Sequence, residues 1–245
     1  MLTDRTIVVT GAARGLGAEI ATTLAAHGAR LILGDILQEE GHATAKRLGA
    51  DFLPVDLAEP QSIADFGSAI RDLTDGTVHG LVNNGAIATG IGGIPFEQIE
   101  IDSWDLVQRV NVRGTWLMIR AMAPMLRASG SGRIVNLASD TAIWGAPNLM
   151  SYVASKGAVI SMTRSLAREL GPAQVGVTAV APGILTTEST EYVPAQRHAL
   201  YENGSAVPGP QAPGNVTETV AFLSSPGALT LTGQVLPVNN GFVFA

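Results

Sequence analysis

Cysteine is absent from the sequence, which excludes disulfide frameworks, thiolate nucleophiles and cysteine-ligated zinc. Its chemistry must come from oxygen and nitrogen groups. Charge is sparse too: 15% of the residues are Asp, Glu, Lys or Arg, and the lysines are only Lys46 and Lys156. A net charge of −6 gives no footprint for nucleic acid or an anionic membrane. With 46% hydrophobic residues beside so few charges, some surface is expected to be covered by another copy of the chain. Nor is there a long apolar run: Asn83-Asn84, Pro226 and Asn239-Asn240 break the uncharged stretches before they reach the roughly 20 residues of a membrane span. No basic and apolar leader precedes the first β-branched run, so a cytoplasmic location is expected.

What the chain does have is a repeating pattern. Short apolar runs at 6–9, 30–33, 52–55, 78–82, 133–137, 175–180 and 234–238 alternate with helix-length segments at 15–29, 38–48, 61–73, 103–128, 151–170 and 216–223. The runs are apolar without strict alternation, as parallel strands covered on both faces require. The expectation is one α/β domain over 1–245, a doubly wound Rossmann-type, seven-stranded parallel sheet with helices on both faces. Between 184 and 214 the pattern lapses, and Pro194, Pro208, Pro210 and Pro213 predict an irregular lid.

After the first run comes Gly11-Ala12-Ala13-Arg14-Gly15-Leu16-Gly17, followed by a helical segment. Glycines there let the backbone turn and approach a pyrophosphate, whose charge faces free N–H groups at the helix start. The same spacing also suits a plain glycine-rich turn. Asp35 ends the second run, 18 residues after Gly17, where a carboxylate can accept from ribose hydroxyls. This favours NAD, because a 2′-phosphate about 4 Å away would be repelled by on the order of 4 kcal/mol per charge pair. Arg14 is either an attractor for a 2′-phosphate or a solvated loop cation.

Tyr152 and Lys156 stand four apart in a helical segment and so share a face. An ammonium about 5 Å from the phenol would lower its pKa by roughly two units, towards working pH. Such a tyrosine can take a proton from an alcohol or return one to a ketone. Ser139 follows the run at 133–137, at a strand's carboxyl end, and Asn111 sits inside the helical segment 103–128. Either could be merely structural. His198 has no neighbouring ligand cluster, so no metal is expected.

Together these residues resemble the short-chain dehydrogenase/reductase family, over essentially the whole chain. The matching pieces are residues 10–17, Asp35, Asp56, Asn83-Asn84, Asn111, Ser139, Tyr152 with Lys156, and Pro182-Gly183. The resemblance implies that Tyr152 is the general acid/base, that Ser139 orients the substrate carbonyl, and that Lys156 also binds the nicotinamide ribose. Asn111 would support a proton-relay water. Cofactor contacts would come from Gly11, Arg14, Gly15, Leu16, Gly17, Asp35, Asp56, Leu57, Asn84, Gly85, Tyr152, Lys156, Pro182, Gly183, Ile184 and Thr187, with Thr186 a rival to the last. Substrate contacts would come from Ser139, Trp144, Met150, Tyr152 and Tyr192.

The implied activity is NAD-dependent interconversion of a secondary alcohol and a ketone, on an apolar cyclic or aromatic substrate. The alternatives are an NADPH-dependent carbonyl or 3-oxoacyl reductase and a non-catalytic dinucleotide sensor. A homotetramer or homodimer built on 103–128 and 151–170 is implied as well. Two places depart from the family pattern. Gly85-Ala86 replaces the usual Ala-Gly, and Asn239-Asn240-Gly241 replaces Asp-Gly-Gly.

Overall fold

Ile7, Val9, Leu31, Leu33, Val82 and Val135 pack on one face of a central sheet, while Val8, Ile32, Leu81 and Ile134 pack on the other. This is the period-two geometry of pleated strands buried on both sides. A computed structural model describes residues 1–244, with only the backbone of Ser189. Its strands are β1 (Thr6–Thr10), β2 (Arg30–Asp35), β3 (Asp51–Pro54), β4 (Gly80–Asn83), β5 (Arg133–Leu137), β6 (Gly176–Pro182) and β7 (Val235–Val238). All pair in parallel, in the order β3-β2-β1-β4-β5-β6-β7.

The helices are α1 (Gly15–Ala26), α2 (Gln38–Leu48), α3 (Pro60–Leu73), α4 (Ile101–Gln108), α5 (Thr115–Ala128), α6 (Thr141–Trp144), α7 (Met150–Leu170), α8 (Ala195–Gly204) and α9 (Gly214–Leu223). Ile20, Leu24, Val216 and Val220 from α1 and α9 cover the first face. Ile63, Phe66, Ile70, Met118 and Met122 from α3 and α5, with Leu170 of α7, cover the second. Each such fully buried side chain contributes about 1.5–3 kcal/mol. Because β1 lies between β2 and β4, the crossovers run outward in opposite directions from it. A crevice therefore opens outside the carboxyl ends of β1 and β4, where doubly wound sheets hold ligands.

Two expectations need correction. The segment 103–128 is not one helix: a π-helical turn, Arg109–Gly114, separates α4 from α5. Gly114 there lies against Leu57, whose carbonyl oxygen would be 2.6 Å from a Cβ at 114. The lid at 184–214 is not irregular throughout either, since it contains α8. Pro194 stands at the N-cap of α8, and the later prolines lie beyond its last residue, so they bracket the helix instead of breaking it.

Candidate active site

The loop after β1 is shaped by steric necessity. Gly11 has φ +63°, and a Cβ on it would lie 2.5 Å from the Cα of Gly85; a Cβ on Gly17 would lie 1.9 Å from the Gly11 carbonyl oxygen. Side chains are excluded at both positions. The Asn84 amide donates to the carbonyls of Thr10 (3.1 Å) and Gly11 (2.9 Å), and the Thr10 hydroxyl accepts from the N–H groups of Asn84 and Gly85. These bonds tie the end of β4 to the turn. Arg14, the N-cap residue of α1, offers no side-chain acceptor to the first helical turn. Gly15, Leu16 and Gly17 therefore present α1's N-terminal end to the cleft, where an anion is favoured.

Asp35 closes the other side. Its Oδ2 accepts from the N–H of Ala13 at 2.9 Å and its Oδ1 from the N–H of Leu37 at 3.0 Å, which fixes the carboxylate at the end of β2. Asp56 accepts from the N–H of Ala58 and lines the same cleft with Leu57. Arg14 forms an ion pair with Glu188 of the lid at 3.5 Å, both side chains exposed. The cleft, of about 650 Å³, continues along the ends of β5 and β6 to Ser139, Tyr152, Lys156, Pro182, Gly183 and Thr187. Thr187 caps a short 3₁₀ turn, Glu188–Thr190. Neighbouring Thr186 and Ile184 instead line a small cavity beside Tyr201, which separates both from the expected cofactor contacts.

Ser139 and Tyr152 face the same cleft, where the serine hydroxyl favours the phenolate form, and the Ser139 hydroxyl accepts from that of Thr141 at 2.9 Å. Lys156 is buried and donates to the Leu137 carbonyl at 2.6 Å, with its ammonium 5.5 Å from the centre of the Tyr152 ring. Burial governs both groups. It pushes the phenol up to about 12 and the ammonium down to about 8. The phenol does not approach working pH as the pairing with Lys156 suggests, because desolvation of the phenolate outweighs the other influences, and Asp140 and Tyr192 add to the rise.

Asn111 lies outside the cleft lining. Its amide is spent on the backbone of Ile87, accepting at 2.8 Å and donating at 3.0 Å, and on the Ser155 hydroxyl at 3.1 Å. It braces the loop after β4 against α7. Trp144, Met150 and Tyr192 do not line the cleft either. Trp144 donates to the Tyr201 hydroxyl and packs edge-on to Tyr201 and Phe242, with Arg197 over its ring; Met150 is exposed; Tyr192 donates to the Ala88 carbonyl at 2.6 Å. The structure adds Asp140, which sequence reasoning missed. Its buried carboxylate accepts from Tyr201 at 2.8 Å and Asn239 at 3.2 Å, and burial pushes it up to about 6. The departure at Asn239 was the available signal.

A family model described as enoyl-(acyl carrier protein) reductase matches residues 11–243. The chain is 34% identical to a 3-alpha-(or 20-beta)-hydroxysteroid dehydrogenase of Mycobacterium tuberculosis, covering 99% of this chain and 90% of that one. It belongs to the short-chain dehydrogenase/reductase family. A cyclopentanol dehydrogenase of Comamonas sp. is also 34% identical, over 98% of this chain and 97% of its own. A short-chain dehydrogenase/reductase structure from Mycobacterium ulcerans superposes with a TM-score of 0.92, at 25% identity, over 98% of this chain and 90% of that chain.

Within this short-chain dehydrogenase/reductase the two departures have local causes. A Cβ at Gly85 would meet Leu57 Cδ1 at 2.8 Å and the Gly11 nitrogen at 3.2 Å, so glycine suits the tight contact there. Asn239 faces Asp140, and an aspartate in its place would set carboxylate against carboxylate. Among the described residues no helix is long and apolar enough to cross a membrane.

Proposed function

We propose that this oxidoreductase uses NAD(H) to interconvert a secondary alcohol and a ketone, with Tyr152 as the general acid/base. The observation that carries the reading is the placement of Ser139, Tyr152 and Lys156 on the same cleft as the Gly11–Gly17 cradle and Asp35. The cradle suits a dinucleotide because Gly11 and Gly17 can close this tight turn only without side chains, and Gly15, with nothing within 4 Å of a Cβ, leaves the N-terminal end of α1 open to the cleft. When bound, the nicotinamide supplies the hydride acceptor or donor. Gly15, Leu16 and Gly17 would hold the pyrophosphate, and the Asp35 carboxylate the adenosine ribose. The exposed pair of Arg14 with Glu188 is too weak to decide between the dinucleotides, and the Asp35 carboxylate is what disfavours a 2′-phosphate.

In reduction the Tyr152 phenol gives its proton to the carbonyl oxygen as the carbon gains hydride. In oxidation the phenol first gives up its own proton to solvent, and the phenolate oxygen then takes the hydroxyl proton as the carbinol carbon loses hydride. Ser139 orients the substrate oxygen beside the phenol, itself aligned by Thr141. Lys156, held by Leu137, supplies positive charge opposite the developing phenolate. Ala86, Ile87, Ala88 and Leu185 make the neighbouring walls apolar. Those walls, with relatives named for hydroxysteroids and cyclopentanol, favour a neutral cyclic substrate. Association into a homodimer or homotetramer belongs to the same reading, through the open concave face of α4, α5 and α7 around Val112, Trp116 and Met162.

The test is a panel of cyclic and aromatic secondary alcohols with NAD⁺ and NADP⁺, followed by absorbance of the reduced nicotinamide. Turnover with NAD⁺ that Tyr152→Phe abolishes is the expected result. Undiminished activity in that variant overturns the proton-transfer assignment, and preference for NADP⁺ overturns the role of Asp35.

A further inference from the structure

Asp140 immediately follows Ser139, yet it is absent from the cleft lining, and its buried carboxylate joins a network with the buried Tyr201 and Asn239 and the half-buried Trp144. The Trp144 indole N–H donates to the Tyr201 hydroxyl at 3.0 Å, and Tyr201 donates to Asp140 at 2.8 Å. An indole nitrogen only donates, so the direction of that chain is fixed. The Asn239 amide donates to the second carboxylate oxygen at 3.2 Å, and the N–H of Asp140 donates to the Pro182 carbonyl at 3.0 Å. Tyr201 belongs to α8 and stacks on Phe242, ring centres 4.1 Å apart. One carboxylate thus joins the serine-bearing end of β5, the lid helix and the turn after β7.

We propose that Asp140 is a positioning residue: through Tyr201 and Asn239 it pins the lid helix and the C-terminal turn to the segment carrying Ser139, and so sets the substrate side of the site. The kinetic part rests on the alcohol–ketone reading above; the anchoring part does not. The pair is directional. Asp140→Asn sets two amide NH₂ groups against each other, Asn239→Asp sets two carboxylates together, and the swap Asp140→Asn with Asn239→Asp restores one donor facing one acceptor. In the swap, the amide carbonyl introduced at position 140 would still accept from Tyr201.

The lid holds a single tryptic site, because Arg197 is the only Lys or Arg between Gly183 and Asn215. Its guanidinium is held over Trp144, 5.3 Å from the ring centre. Trypsin digestion of the full chain at one pH should cut at Arg197 at least five-fold faster in each single variant and return to within two-fold of wild type in the swap. The KM for the alcohol should rise about ten-fold in the single variants, NADH affinity should stay within two-fold, and the swap should recover the KM. If the single variants fail to fold, Tyr201→Phe, which removes only the phenolic donor, is expected to show the same faster cleavage and raised KM. The proposal is overturned if folded single variants, or Tyr201→Phe, cleave and bind substrate as wild type does, or if a folded swap shows no rescue. Absence of turnover on every alcohol tested would defeat the functional reading while cleavage at Arg197 still decides the anchor.

Discussion

Gly11 and Gly85 touch backbone to backbone: a Cβ on the first would sit 2.5 Å from the Cα of the second. These residues lie just beyond the carboxyl ends of β1 (Thr10) and β4 (Asn83), so the contact closes the floor of the crevice on which a dinucleotide would sit. Substituting Gly11→Ala or Gly17→Ala is expected to weaken NADH binding at least 100-fold and lower stability by about 2–4 kcal/mol. NADH fluorescence titration and urea unfolding measure the two effects. Gly85→Ala should be milder, since its nearest obstacle is the end of the Leu57 side chain.

Asp35 accepts two backbone N–H bonds and lines the end of the cleft that the proposed function assigns to the adenosine ribose. Asp35→Ser is expected to lower kcat/KM for NAD⁺ at least ten-fold and narrow or invert the preference over NADP⁺, as repulsion of a 2′-phosphate disappears. Parallel assays with both dinucleotides check this. A loss of about 1–3 kcal/mol in stability should accompany it, because the Ala13 and Leu37 donors lose an ionised acceptor.

The free protein holds the Lys156 ammonium down to about 8 by burial, while the Tyr152 phenol stays protonated up to about 12. For ketone reduction the proton donor is therefore present throughout the working range, and the ammonium is the group that titrates. The expected profile of kcat/KM for NADH, which reports the free enzyme, is level below pH 8 and falls above it, as Lys156 loses its charge.

Asp140 titrates in the opposite stability sense to a salt-bridged carboxylate. Its pKa is raised from 3.8 to about 6, so the folded protein binds this proton more tightly than the unfolded chain. The stabilising contribution is complete below pH 4 and is lost as the pH rises through 6, at a cost of about 3 kcal/mol by neutral pH. Urea unfolding of the wild type against Asp140→Asn between pH 4 and 7 should show the wild type losing ground by that order.

The sheet was legible because its strands are buried on both faces: 133–137 is the same in sequence and structure, and the other boundaries move by three residues or fewer. The cradle, Asp35 and the Ser139–Tyr152–Lys156 set were legible because each sits at a strand end or on one helix face. What escaped depends on partners distant in the chain. Tyr201 and Asn239 reach Asp140 across 61 and 99 residues. The π-helical turn leaves no periodicity, since Asn111 is drawn to Ile87 and Ser155 by tertiary contacts. For Tyr152, counting the neighbouring ammonium without the surrounding burial gave the wrong direction of shift.

The ion pair of Arg14 with Glu188 bridges the cradle and the lid in open water. An exposed pair of this kind is worth less than about 1 kcal/mol and is screened over roughly 8 Å at physiological salt. It is therefore a latch that thermal motion lifts on its own. Dinucleotide can be exchanged between catalytic cycles without a costly unfastening step, and added salt should hasten its departure.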